Sequence, residues 1–276
     1  MVRYQQMLNI GFVALVSGLA LGGCDEGGEE LQDVGTTRSV TTDSAMLLLN
    51  DGIREAIWLQ PNAGKLQESR IELPGFVSQQ TQLLDGRMAL LTQQEPALVL
   101  LNPDGSISRQ LDLVAPFTAI ATDDTGRWLV TFFAPGRATS SDDIFLNVNQ
   151  IQVVDLLDGT VAPRVLTLVG SQPSRIDFVP AFTLGGTPLS LLVASGEGTL
   201  VFVNPLSDDV EDQQRLVRLT PPDALSEPLP SAVRCEESDG GPMLCTAVIS
   251  NFNEVFVVEL LEGDSETGWT FQPTIN

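Results

Sequence analysis

Apolar and polar positions divide this chain into three regimes. Residues 7 to 21 (MLNIGFVALVSGLAL) are apolar apart from Asn9 and Ser17 among the larger side chains, and residues 25 to 43 (DEGGEELQDVGTTRSVTTD) hold almost no large apolar side chain. From residue 44 onward, short apolar stretches alternate with polar turns to the end of the chain. The units LLNDGIREAIWLQ (48 to 60), LLTQQEPALVLLN (90 to 102), LVASGEGTLVFVN (192 to 204) and AVISNFNEVFVVE (247 to 259) each run from two apolar residues through a polar turn into a second apolar run. A fifth copy opens at Leu129-Val130-Thr131-Phe132-Phe133 and closes at Ile151-Gln152-Val153-Val154-Asp155, with residues 134 to 149 looped out between them. A short apolar strand, a polar turn and a second strand rich in Val, Leu and Phe predict a hairpin.

The closing polar residues of the five units fall at 60, 102, 155, 204 and 259, which are spacings of 42, 53, 49 and 55 residues. Repeats of about 40 to 50 residues match a four-stranded propeller blade. Turn signals follow on the same schedule: NPDG at 102 to 105, DLLDG at 155 to 159, NPLSDD at 204 to 209 and ELLEG at 259 to 263. Alternating outer strands are predicted after them at SISRQLDL, VAPRVLTL, QQRLVRL and GWTFQPTI. First strands are predicted upstream at FTAIATDDTGRW, PSRIDFVPAF and PSAVRC. No long helical period appears, and 17 Pro with 24 Gly would interrupt helices of ordinary length. The expected class is all-β: a β-propeller of four-stranded blades over residues 44–276, with five repeats visible. Both a five-bladed ring and an incomplete seven-bladed ring remain open.

The amino-terminal regime reads as an address. Arg3 precedes the apolar run, which is shorter than the roughly 20 residues a spanning helix needs, so residues 1–23 are expected to be a signal peptide. The tail Leu21-Gly22-Gly23-Cys24 resembles the bacterial lipobox, and the resemblance implies that Cys24 becomes a lipidated first residue. An ordinary secretory signal with an incidental cysteine is the alternative. Residues 24–43 are then a flexible acidic tether, and the expected location is the bacterial cell envelope, on its periplasmic or surface face. The membrane would be engaged through the acyl chains on Cys24, since more than one such chain anchors stably.

Composition narrows the chemistry. With 14 Lys plus Arg against 36 Asp plus Glu, the net charge is −22, which argues against nucleic acid as a partner. The chain has no histidine, which removes Ser-His-Asp triads, Cys-His dyads and HExxH zinc sites. Cys235 and Cys245 bracket a polar turn, EESDGGPML, and in an exported protein they are a disulfide candidate, with two free thiols as the alternative. Acids cluster at 208 to 212 and at Asp142 and Asp143, without calcium-loop spacing, so no cofactor or metal is expected and calcium is kept only as an alternative. Asp104, Asp123 and Asp158 are expected to serve backbone reversal, and Trp58, Trp128 and Trp269 to serve blade packing.

Gly170-Ser171-Gln172-Pro173-Ser174-Arg175-Ile176, Pro116-Phe117-Thr118-Ala119-Ile120 and the turn Asp123-Asp124-Thr125-Gly126-Arg127 resemble the degenerate motifs of bacterial YVTN or lactonase-like (WD40-like) β-propellers. The resemblance spans roughly residues 44 to 276 and concerns the fold. Three roles follow as expectations. The first is a lipid-anchored, non-catalytic binding or scaffold module for an envelope protein or ligand. Its contact surface would include Asp142 and Asp143 in the 134 to 149 insertion and the loop at 220 to 232. The second, implied by the resemblance, is a lactonase-like hydrolase using carboxylates and calcium. The third is a structural subunit of an envelope complex.

Overall fold

The computed structural model describes residues 37–42, 45–50, 53–136, 147–184, 187–207, 213–219, 226–237, 242–251, 254–262 and 269–275. Cys24, Asp142, Asp143 and the acidic run 208 to 212 lie outside them.

Five antiparallel four-stranded sheets follow one another in chain order, each strand paired to its neighbours in sequence except where a two-stranded hairpin is inserted in the fourth. Blade one holds β1 (Thr37–Thr41), β2 (Met46–Asn50), β3 (Glu55–Asn62) and β4 (Lys65–Glu72). Blade two holds β5 (Phe76–Gln82), β6 (Met88–Gln93), β7 (Ala97–Leu101) and β8 (Ile107–Asp112). Blade three holds β9 (Ala119–Thr122), β10 (Trp128–Phe132), β11 (Gln150–Asp155) and β12 (Arg164–Thr167). Blade four begins with β13 (Pro173–Phe178), inserts a separate hairpin of β14 (Phe182–Leu184) and β15 (Thr187–Leu189), and resumes with β16 (Leu192–Gly196), β17 (Thr199–Val203) and β18 (Gln214–Arg218). Blade five holds β19 (Pro230–Glu237), β20 (Met243–Ile249), β21 (Glu254–Glu262) and β22 (Trp269–Ile275). This is a β-propeller chain, and the five hairpin units read from the sequence are the two middle strands of its blades.

Two parts of this arrangement depart from the sequence reading. Residues 37–41, placed in the tether, form β1 and pair with β2 from Thr37↔Asn50 to Thr41↔Met46. The segment TRSVT carries no apolar pattern because an edge strand is held by its ladder hydrogen bonds, with only Val40 packed on the core. The β14–β15 hairpin was not foreseen either; it hangs off the first turn of blade four, and its Phe182 and Leu189 are buried in the layer beneath.

The core consists of four apolar layers, each sandwiched between consecutive blades. Leu47, Leu49, Ala56 and Trp58 of blade one meet Met88, Leu90, Val99 and Leu101 of blade two. Ala89, Leu91, Leu98 and Leu100 use the other face of blade two to meet Leu129 and Val154 of blade three. The pattern continues from blade three to four through Val130, Val153, Ala194 and Val201, and from four to five through Val193, Phe202, Ala247 and Val258. Because middle blades are covered on both sides, every residue of β7, β10, β16 and β17 is buried, whereas β2 and β20 alternate between buried positions and half-buried or exposed ones. Among the described residues no buried cluster joins blade five to blade one.

Candidate functional site

The first strands of blades two to five lie side by side: β5 against β9, β9 against β13, and β13 against β19. They are edge strands of their own sheets, so one row of their backbone groups needs partners from elsewhere. The sequence supplies them with a repeated device. In β5, β13 and β19 the register slips between Val77 and Gln79, between Pro173 and Arg175, and between Pro230 and Ala232. The bulged residue is a serine each time. Ser78, Ser174 and Ser231 donate their hydroxyls across the ladder to the carbonyls of Leu91, Ser195 and Val248 at 3.2, 3.0 and 3.2 Å. A bulge of this kind re-aims the side chains that follow it.

The re-aimed side chains reach the next blade. The Gln79 side-chain oxygen accepts the Ile120 N–H at 2.8 Å, and an Asp177 oxygen accepts the Val233 N–H at 3.3 Å. Arg175 donates to the Ser231 carbonyl at 3.5 Å, and from β1, which has no bulge, Arg38 donates to the Val77 carbonyl. Arg175 thus meets Ser231, and two residues later Asp177 meets Val233, so β13 and β19 run parallel at a fixed offset.

These strands enclose a cavity of about 930 Å³. Its wall on blades two and three is mostly small or neutral, with Gln79, Ala119, Ala121 and Thr122, and ends at Asp124; its wall on blades four and five carries Arg175, Asp177, Arg234 and Glu236. Arg175 Nε stands 2.7 and 2.8 Å from the two Asp177 oxygens, and Arg234 Nε stands 2.6 Å from Glu236. Asp177 is the recessed member, with 12% of its side chain exposed against 82% for Arg234. Burial pushes the Asp177 carboxyl above the ordinary carboxylate value, and the Arg175 guanidinium and the Val233 N–H pull it only part of the way back.

The turn acids do the work expected of them. Asp123 accepts the Trp128 N–H at 2.8 Å and the Thr125 hydroxyl, fixing the β9–β10 turn. Asp104 accepts the N–H and hydroxyl of Ser106, and Asp158 accepts those of Thr160; these bonds hold both carboxyls below the usual value. Trp58 and Trp128 are buried between blades, and Trp128 Nε1 donates to Ser190 at 2.8 Å. Cys235 and Cys245 are directly opposed across β19 and β20 and form a disulfide, with Cα atoms 4.0 Å apart. Among the described residues no three or more Asp, Glu, His or Cys side chains converge as a metal site.

Sequence reasoning missed the Arg175, Asp177, Arg234 and Glu236 wall. Its signal was an R-x-D and an R-x-E pair, each alternating onto one face of a first strand. A further set escaped notice: Arg109, Arg164 and Arg215 occupy one register, opposite Leu100, Val153 and Phe202. Arg109 donates to the Val161 carbonyl at 3.3 Å, and Arg164 donates to those of Pro205 and Ser207 at 2.5 and 2.7 Å, hooking each outer strand to the next blade's turn.

No protein-family model matches the chain, and no curated protein matches it. Solved structures do. A virginiamycin B lyase from Staphylococcus aureus is similar over 88% of this chain and 71% of its own, at 15% identity and a TM-score of 0.43. A streptogramin B lyase is similar over 90% and 85%, at 12% identity and a TM-score of 0.42. A periplasmic gluconolactonase from Pseudomonas aeruginosa is similar over 88% and 72%, at 12% identity and a TM-score of 0.38. The assignment of blades rests on the chain's own five sheets.

Proposed function

We propose that this chain is a lipid-anchored β-propeller of the bacterial cell envelope that binds a ligand or partner without transforming it. The observation that carries this reading is the pairing inside the cavity. Arg175 and Arg234 are each engaged with a carboxylate on their own strand, and the Ser174 hydroxyl donates to a backbone carbonyl, so among these described residues no nucleophile stands beside a base. Anchorage rests on the lipobox-like Leu21-Gly22-Gly23-Cys24. A Cys24→Ser variant should leave the membrane fraction; retention there would remove the anchor from the proposal. Asp142 and Asp143 are the proposed protein-contact residues of the insertion, and neutralising both should weaken capture of an envelope partner.

A hydrolase reading draws on one observation, the raised carboxyl of Asp177 in the cavity, because perturbed acids in clefts often serve as acid or base. The two readings part in a lactone-opening assay with γ-butyrolactone. The binding module predicts no turnover above that of an Asp177→Asn variant, and turnover abolished by that substitution would replace it with the hydrolase.

A further inference from the structure

The charged wall of the cavity is ordered along its length. β13 and β19 run parallel with Arg175 level with Ser231 and Asp177 level with Val233, so Arg234 and Glu236 lie further along the same direction. From the level of Arg175 to that of Glu236 is five strand residues, roughly 17 Å at about 3.3 Å per residue. The order along the wall is cation, anion beside cation, then anion. At the far end, on the β9 side, stands Asp124, which lines the cavity and has no ion-pair partner among the described residues. Ile120 and Val233 are equivalent acceptor-seeking positions on their strands, which puts Asp124 at the end occupied by Glu236. A cation is therefore outermost at one mouth and anions are outermost at the other, with Arg175 and Glu236 each also paired on its own strand. The opposite wall offers Ala119 and Ala121, small enough to leave room for a chain lying along it.

We propose that the cavity binds a zwitterionic ligand of the short-peptide type lengthwise, with its carboxylate at Arg175 and its ammonium group at Glu236 and Asp124. Arg175 is paired with Asp177 and Glu236 with Arg234, each partner lying inward of its end of the wall, which shortens the roughly 17 Å between backbone levels toward the span of an extended tripeptide, about 10 Å at about 3.4 Å per residue. A ligand of a single sign is disfavoured in this arrangement, because one of its ends always meets like charge. The inference deepens the binding reading given above and rests on it.

The test is titration calorimetry on the full chain with three probes: triglycine, N-acetyl-triglycine and triglycinamide. Triglycine should bind, and each capped form should bind at least tenfold more weakly. In Arg175→Gln the preference for triglycine over triglycinamide should vanish while its preference over N-acetyl-triglycine remains; Glu236→Gln should do the reverse. Equal binding of all three probes, or binding of none, overturns the proposal with the wild-type chain alone, whatever the variants do. Lactone turnover would instead strike the non-catalytic reading, so the two failures are told apart.

Discussion

Asp177 accepts the backbone N–H of Val233 across the boundary between blades four and five, much as Gln79 accepts that of Ile120 across the boundary between blades two and three. A carboxylate and an amide oxygen thus do the same structural task, but only the carboxylate carries a charge into a recessed site. In the folded chain its protonation equilibrium lies above that of the unfolded chain. The folded state holds the proton more tightly, so ionising Asp177 costs stability as pH rises from the unfolded value of 3.8 through the folded one. Asp177→Asn keeps an oxygen for Val233 and lacks this titration. The melting temperature of the variant minus that of the wild type should rise with pH across that window and level off above it; a flat difference would refute the assignment.

Joining Cys235 to Cys245 closes a short loop, with a sequence separation of 10. Chain entropy assigns such a loop about 2–3 kcal/mol. Urea unfolding of Cys235→Ala, Cys245→Ala double variants should show a loss of that size, with no further loss on adding reductant.

Two turn glycines with similar backbones should respond differently to alanine. Both Gly64 and Gly105 have positive φ, 79° and 83°. A Cβ on Gly64 meets nothing within 4 Å, whereas one on Gly105 would stand 2.5 Å from Cγ of the buried Trp58. Gly64→Ala should cost about 1 kcal/mol from the backbone alone, and Gly105→Ala about 3 kcal/mol once the packing conflict is added. Denaturant midpoints and Trp fluorescence report both.

Arg164 reaches two carbonyls of blade four, and a lysine has neither the length nor the fork to satisfy both. Arg164→Lys should lower stability by about 1–2 kcal/mol, and Arg109→Lys, which loses a single bond of 3.3 Å, by less. Equal effects would mean that the hooks contribute nothing beyond their stems.

What was legible in the sequence follows burial. Strands such as Ala97–Leu101 and Thr199–Val203 announce themselves because both their faces are covered and every residue but Thr199 is apolar. First and outer strands do not. Lys65–Glu72 is mostly exposed, and Phe76–Gln82 is half-buried along nearly its whole length, so neither carries a hydrophobic rhythm. The cavity wall was hidden for a related reason. Arg175 and Arg234 are separated by a whole blade, and only parallel docking of β13 and β19 brings them together. The serines at the bulges were visible as letters, but a register slip has no signature until the ladder is known.

Stacking four apolar layers in series has a consequence for how the molecule comes apart. Among the described residues the buried clusters join each blade only to its immediate neighbours, so cohesion propagates as in a one-dimensional array. Opening can start at blades one and five, which among the described residues share a single layer each, while the third blade is released only by breaking two. Amide protons of Trp128–Phe132 and Gln150–Asp155 are therefore the last to exchange with solvent deuterium, and those of Met46–Asn50 among the first of the ladder-bonded set.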